Sequence, residues 1–285
     1  MKKLILFIAL ISLNSIASTD VIYGEDNRVD VIETQNADFK RYASSTLARI
    51  DKNELKGWKF SKLWEMVPRK HSDQNLCPEE RFQDQPVIAG CTAFLVSPKH
   101  IVTAGHCISN HTCGNGLYYW LFDYHMPASG AFNPKQPKEN FVSCKRIVKR
   151  ILDPRTGADY TLIELKKEVK GRTPLKFRTQ GEIKIGEELV LIGHPSGLPT
   201  KISDGATVNE TGDYFFKSNL DAFSGNSGSP VINVRTGEVE GILVRGLTDY
   251  VWDETRFCSH ANRVSDDIGG ESVTNITQIK ELIDL

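Results

Sequence analysis

Three residues able to share one reaction occur in the order His106, Asp159, Ser227. His106 lies in T-A-G-H-C (103–107), Asp159 in A-D-Y-T-L-I-E-L (158–165) and Ser227 in G-N-S-G-S-P (225–230). A serine hydroxyl is a weak nucleophile at neutral pH. It needs a neighbouring base, and the base needs a carboxylate to orient it. Imidazole accepts and returns protons near neutrality. The trio therefore reads as nucleophile Ser227, base His106 and orienting acid Asp159. Gly225 and Gly228 allow a tight turn around Ser227. The backbone N–H groups of Gly225 and Ser227 then form the expected oxyanion hole, a set of fixed donors for developing negative charge. Asp123 and Asp153 compete for the acid role, but the apolar run after Asp159 suits a buried carboxylate.

Such a trio requires a scaffold that brings distant segments together. Short strand candidates recur from residue 87 onward: Thr92–Val96, Ile101–Thr103, Leu117–Phe122, Tyr160–Leu165 and Glu188–Gly193, then Pro230–Val234 and Val239–Val244 about the turn Arg235-Thr236-Gly237. Alternating apolar positions at 21–50 predict a strand or two more. Residues 51–86 are polar and proline-bearing and read as a surface excursion whose Leu63, Trp64 and Phe82 pack down. Helical spacing is convincing only at 274–285, where Ile276, Ile279, Leu282 and Ile283 share a face and Thr274 is a plausible N-cap. Many strands and one C-terminal helix predict an all-β protein. An α/β-hydrolase fits poorly: it would order Ser before Asp before His, and the residue after Gly228 is Ser229 rather than Gly.

The chain has 285 residues, 40% apolar and 25% charged, with a formal net charge of −1. Near-neutral charge offers no field for nucleic acid or anionic lipid, so neither is expected as a partner. Lys2 and Lys3, the apolar run Leu4 to Leu13 and Ser15-Ile16-Ala17 read as an export signal over 1–17, which leaves 18–285 as the functional domain. Export to a periplasm or beyond the cell fits six cysteines without C-x-x-C. Cys91 and Cys107 bracket a hairpin that would bring their sulfurs together beside His106. The other four can pair as Cys113–Cys144 and Cys77–Cys258, although spacing leaves other pairings open. The remaining histidines show no metal-ligand spacing, so no metal and no cofactor are expected.

These residues resemble the trypsin/chymotrypsin superfamily, and within it the bacterial branch of glutamyl endopeptidases and HtrA-like proteases. G-N-S-G-S-P-V (225–231) is similar to that branch's nucleophile motif, and V-I-Y-G-E-D-N-R (21–28) looks like the start of mature glutamyl endopeptidases. The resemblance implies two antiparallel six-stranded β-barrels with the site between them. It implies a serine endopeptidase that acts, as a monomer, on peptides or proteins through an acyl-enzyme.

Two departures stand out. Asn226 replaces the aspartate that eukaryotic-type members ion-pair with a freed N-terminus, so activity is expected not to need that switch. Leu243 stands where glutamyl endopeptidases are similar around a substrate-binding His. Asp221, six residues before Ser227, matches the offset of the trypsin-like pocket-floor Asp, which would favour cleavage after Arg or Lys. The alternative reading has it hold a loop or pair with Arg245 on the pocket wall. A non-catalytic binding protein on the same scaffold and a narrow-specificity esterase are the competing functions.

Overall fold

The computed structural model describes residues 21–57 and 61–285; the expected signal at 1–17 lies outside these residues. The principal strands, in chain order, are β1 (Thr46–Asp51), β2 (Thr92–Ser97), β3 (His100–Thr103), β4 (Tyr118–Phe122), β5 (Cys144–Leu152), β6 (Asp159–Leu165) and β7 (Glu188–Gly193). They continue with β8 (Lys201–Glu210), β9 (Phe215–Ser218), β10 (Pro230–Asn233), β11 (Val239–Arg245), β12 (Tyr250–Asp253), β13 (Cys258–Ala261) and β14 (Glu271–Asn275).

The first lobe is an antiparallel sheet in the order β4, β1, β2, β3, β6, β5, with the short strand Phe141–Val142 beyond β4. It curls without closing. The second runs β7, β10, β11, β14, β9, β8, and β8 pairs back with β7, which closes a six-stranded barrel. This is the chymotrypsin-like architecture expected from the sequence, with the first lobe a half-barrel.

Strand patterning explains the join between lobes. In β7 the side chains alternate, as a pleated strand requires. Leu189 and Leu191 fill the second barrel with Phe216, Val231 and Val273. Val190 and Ile192 face the other way, into a core shared with Phe94, Leu162 and Ile163 of the first lobe. A strand buried on both faces reads as a continuous apolar run, which is why β6 and β7 were legible.

The C-terminal segment departs from an α-helix. Two 3₁₀ turns, Ile276–Gln278 and Lys280–Asp284, follow β14. Ile276, Ile279 and Leu282 recur every three residues and are buried, while Ile283 is exposed. Three-residue spacing matches a 3₁₀ turn better than a 3.6-residue helix. Thr274 is a buried residue of β14 rather than a cap. The α-helix lies instead at Ala37–Ala43, where the Asn36 side chain accepts from the N–H groups of Asp38 and Phe39. Within 51–86, Leu63–Met66 pairs with Lys135–Pro137, Trp64 packs on a small apolar cluster, and Phe82 lies under Arg28.

All six cysteines are paired: Cys77–Cys258, Cys91–Cys107 and Cys113–Cys144.

Candidate active site

His106 occupies a single 3₁₀ turn, Gly105–Cys107, just after β3. Asp159 opens β6, a strand buried along its whole length. These strands are neighbours in the sheet, and their ends bring the two side chains together. His106 Nδ1 lies 2.7 Å from Asp159 Oδ2, and the His106 N–H donates to Asp159 Oδ1 at 3.1 Å. The Asp159 side chain is 4% exposed and the His106 side chain 38%, so a fixed acid holds an accessible base. The competitors are engaged elsewhere: Asp123 pairs with Arg172 at 2.8 Å, and Asp153 accepts from the Arg155 N–H at 2.9 Å.

The turn that carries His106 is braced through its carbonyls. Arg150 Nε donates to Gly105 O at 2.6 Å, and Arg49 donates to Cys107 O. Cys107 is also tied to Cys91 at the start of β2. Neither arginine was foreseen: Arg150 lies on the polar strand β5 and Arg49 on β1, and only the tertiary arrangement of those strands brings them to the turn.

Ser227 sits in the turn before β10, half-buried, with its carbonyl accepting from the Thr92 N–H at 2.8 Å. A Cβ on Gly228 would fall 2.1 Å from Thr92 O, and one on Gly225 would fall 2.4 Å from His194 O. Both glycines have φ near +90° to +100°, where other residues are strained. The turn can therefore lie against β2 and the β7 end only with glycine at both places. Among the described residues the N–H groups of Gly225 and Ser227 have no hydrogen-bond partner.

His106, Asp159 and Ser227 line one open cleft of about 1050 Å³ between the lobes. No hydrogen bond joins Ser227 Oγ to His106 here; this contact is commonly long in unliganded enzymes and tightens with substrate. Among the described residues, the His/Cys/acid group compact enough for a metal is Cys91, His106 and Cys107. Its two sulfurs are bonded to each other, which removes two of the three donors.

Asp221 does not line the cleft. Its carboxylate accepts from the Tyr23 N–H at 2.8 Å and the Asn27 N–H at 2.9 Å, and burial pushes its pKa up to about 6. It anchors the segment 21–28, whose Val21 carbonyl also accepts from Ala222 N–H. Arg28 completes that anchor: it is buried, forked onto Asp26, and stacked 4.1 Å from the Phe223 ring. Of the roles the sequence left open for Asp221, this placement is the loop-holding one. Arg245 does line the cleft, and its Nη2 donates to Gly157 O at 2.8 Å rather than to Asp221. Asn226 and Leu243 are buried.

Fold and site together define a two-lobed, chymotrypsin-like β protein with its candidate chemistry at the seam. The chain belongs to the trypsin-like peptidase domain family, whose model matches residues 91–242. No curated protein matches it significantly in sequence. Among solved structures, it is similar to a Glu endopeptidase in complex with MPD, at 14% identity and TM-score 0.51, over 93% of this chain and 98% of that one. It is also similar to human heparin binding protein, at 12% identity and TM-score 0.54, over 86% and 91% of the two chains. At these identities the likeness speaks for the fold alone.

Proposed function

We propose that this chain is an exported serine endopeptidase. The observation that carries the reading is the His106–Asp159 pair facing the same cleft as Ser227. Ser227 Oγ attacks a peptide carbonyl carbon while His106 Nε2 takes the hydroxyl proton. The N–H groups of Gly225 and Ser227 hold the oxyanion, as fixed donors in a turn that needs no rearrangement. Collapse of the tetrahedral species breaks the C–N bond, and His106 gives its proton to the leaving amine. Water, deprotonated by the same imidazole, then releases the acyl group and restores Ser227. Asp159 holds the Nδ1–H tautomer throughout.

Three disulfides fit an oxidising compartment outside the cytoplasm. Substrates are peptides or proteins. Preference for Arg or Lys loses its physical basis, because the Asp221 carboxylate is committed to backbone donors. The test is digestion of a peptide library read by mass spectrometry. Wild type should cleave, and Ser227→Ala should lose activity by a factor on the order of 10⁶. Equal cleavage by both proteins would refute the reading.

A further inference from the structure

Asn226, which precedes Ser227, carries no charge for an ion pair to hold the nucleophile turn at that position. It is held by Thr92, which is fully buried. The Thr92 amide donates to Ser227 O at 2.8 Å, and the Thr92 hydroxyl is 2.9 Å from Gly225 O. The same hydroxyl lies 2.9 Å from His194 Nδ1, and His194 Nε2 lies 3.1 Å from Thr200 Oγ1. Thr200 Oγ1 in turn lies 2.8 Å from Tyr124 O, which already accepts the Thr200 amide at 2.7 Å.

Each hydroxyl has one proton to donate. Burial, with Lys201 and His125 nearby, pushes the His194 pKa down to about 3, so its ring carries one proton at neutral pH. Two proton arrangements then fill the chain. With the proton on Nδ1, His194 donates to Thr92, Thr92 donates to Gly225 O, and Thr200 donates to Nε2. With the proton on Nε2 the two ring bonds reverse and Thr200 donates to Tyr124 O instead. Thr92 then spends its hydroxyl on the ring, Tyr124 O receives two donors, and buried Gly225 O is left with none among the described residues. An unpaired buried carbonyl carries a large penalty, so the first arrangement prevails.

We propose that Thr92 and His194 are positioning residues of the oxyanion hole: His194 Nδ1–H aims the Thr92 hydroxyl at Gly225 O, and Thr92 thereby fixes the carbonyls on both sides of Asn226. With both carbonyls tied, the peptides that follow Gly225 and Ser227 are fixed. Ser224 O and Asn226 O, which share peptide planes with the two donor amides, accept from the Ser196 N–H at 2.6 Å and the Ser229 N–H at 2.8 Å, so the Thr92 clamp completes the set that holds the amides in one orientation. The proposal rests on the serine-peptidase reading above.

The test compares Thr92→Val, which keeps the shape and loses the hydroxyl, with Thr92→Ser, which keeps the hydroxyl. Thr92→Val should lower kcat about 10- to 100-fold, less than deleting an oxyanion donor outright. KM should change little, and a peptide aldehyde should bind more weakly in step with kcat. Thr92→Ser should retain most of the activity. Wild-type kcat in Thr92→Val, or equal impairment in Thr92→Ser, overturns the proposal. Should Thr92→Val fail to fold, the ¹⁵N shifts of the wild-type His194 ring decide. A protonated Nδ1 is expected, and a protonated Nε2 removes the clamp. The peptidase reading fails separately, by absence of hydrolysis in the wild type.

Discussion

His71→Gln gives a quantitative test of the packing around the segment 21–28. His71 is 1% exposed, and its Nε2 lies 2.9 Å from the Tyr250 hydroxyl. Burial, and then the nearby Arg28 charge, lowers its pKa from 6.5 to about 4. The unfolded chain therefore takes up a proton that the folded chain refuses. Stability is lost as pH falls below 6.5, and the loss is complete once pH passes the folded value near 4. At 1.36 kcal/mol per unit, the loss from this group is about 3 kcal/mol. Asp221 opposes it: its pKa is raised to about 6, so its burial cost disappears as pH falls from 6 towards 3.8. That contribution is common to wild type and variant and cancels in their difference. Glutamine has no titration in this range. Urea unfolding of both proteins at pH 7, 6, 5 and 4 measures the difference. Whatever lead wild type holds at pH 7 should shrink by about 3 kcal/mol at pH 4. A pH-independent difference would refute the assignment of His71 as a buried neutral imidazole.

Other outcomes follow from the same geometry. Asp159→Asn should fold normally and lose about 10⁴ in kcat, because the amide no longer enforces the required imidazole tautomer; steady-state kinetics and circular dichroism check both halves. Replacing Cys91 and Cys107 by Ala should cost about 3 kcal/mol by the loop-entropy model, read as a lowered urea midpoint. Asp221→Asn should loosen residues 21–28, seen as faster amide exchange at Tyr23 and Asn27, without a change in side-chain preference at the cleavage site. A selective loss of Arg and Lys substrates would instead restore Asp221 to the pocket.

The candidate site was legible because its residues sit in short, strongly patterned segments. T-A-G-H-C ends an apolar strand, and Asp159 opens one buried on both faces. β5 and β8 were not legible. C-K-R-I-V-K-R-I-L and K-I-S-D-G-A-T-V-N-E carry charges and small polar residues, and their strand state comes from tertiary pairing with β6 and β7. The role of Asp221 stayed open in the sequence because an offset along the chain does not say which way a carboxylate turns; it accepts from the amides of Tyr23 and Asn27, about two hundred residues away. Thr92 and His194 gave no signal for the same reason. Their partners are backbone carbonyls and each other, which no motif spells out.

Mapping the covalent adduct of a fluorophosphonate probe tests the central claim most directly. The account predicts one modified residue, Ser227, by mass spectrometry of the digested protein, and no labelling of folded His106→Ala. An adduct on another side chain, or no adduct on folded protein, would contradict it.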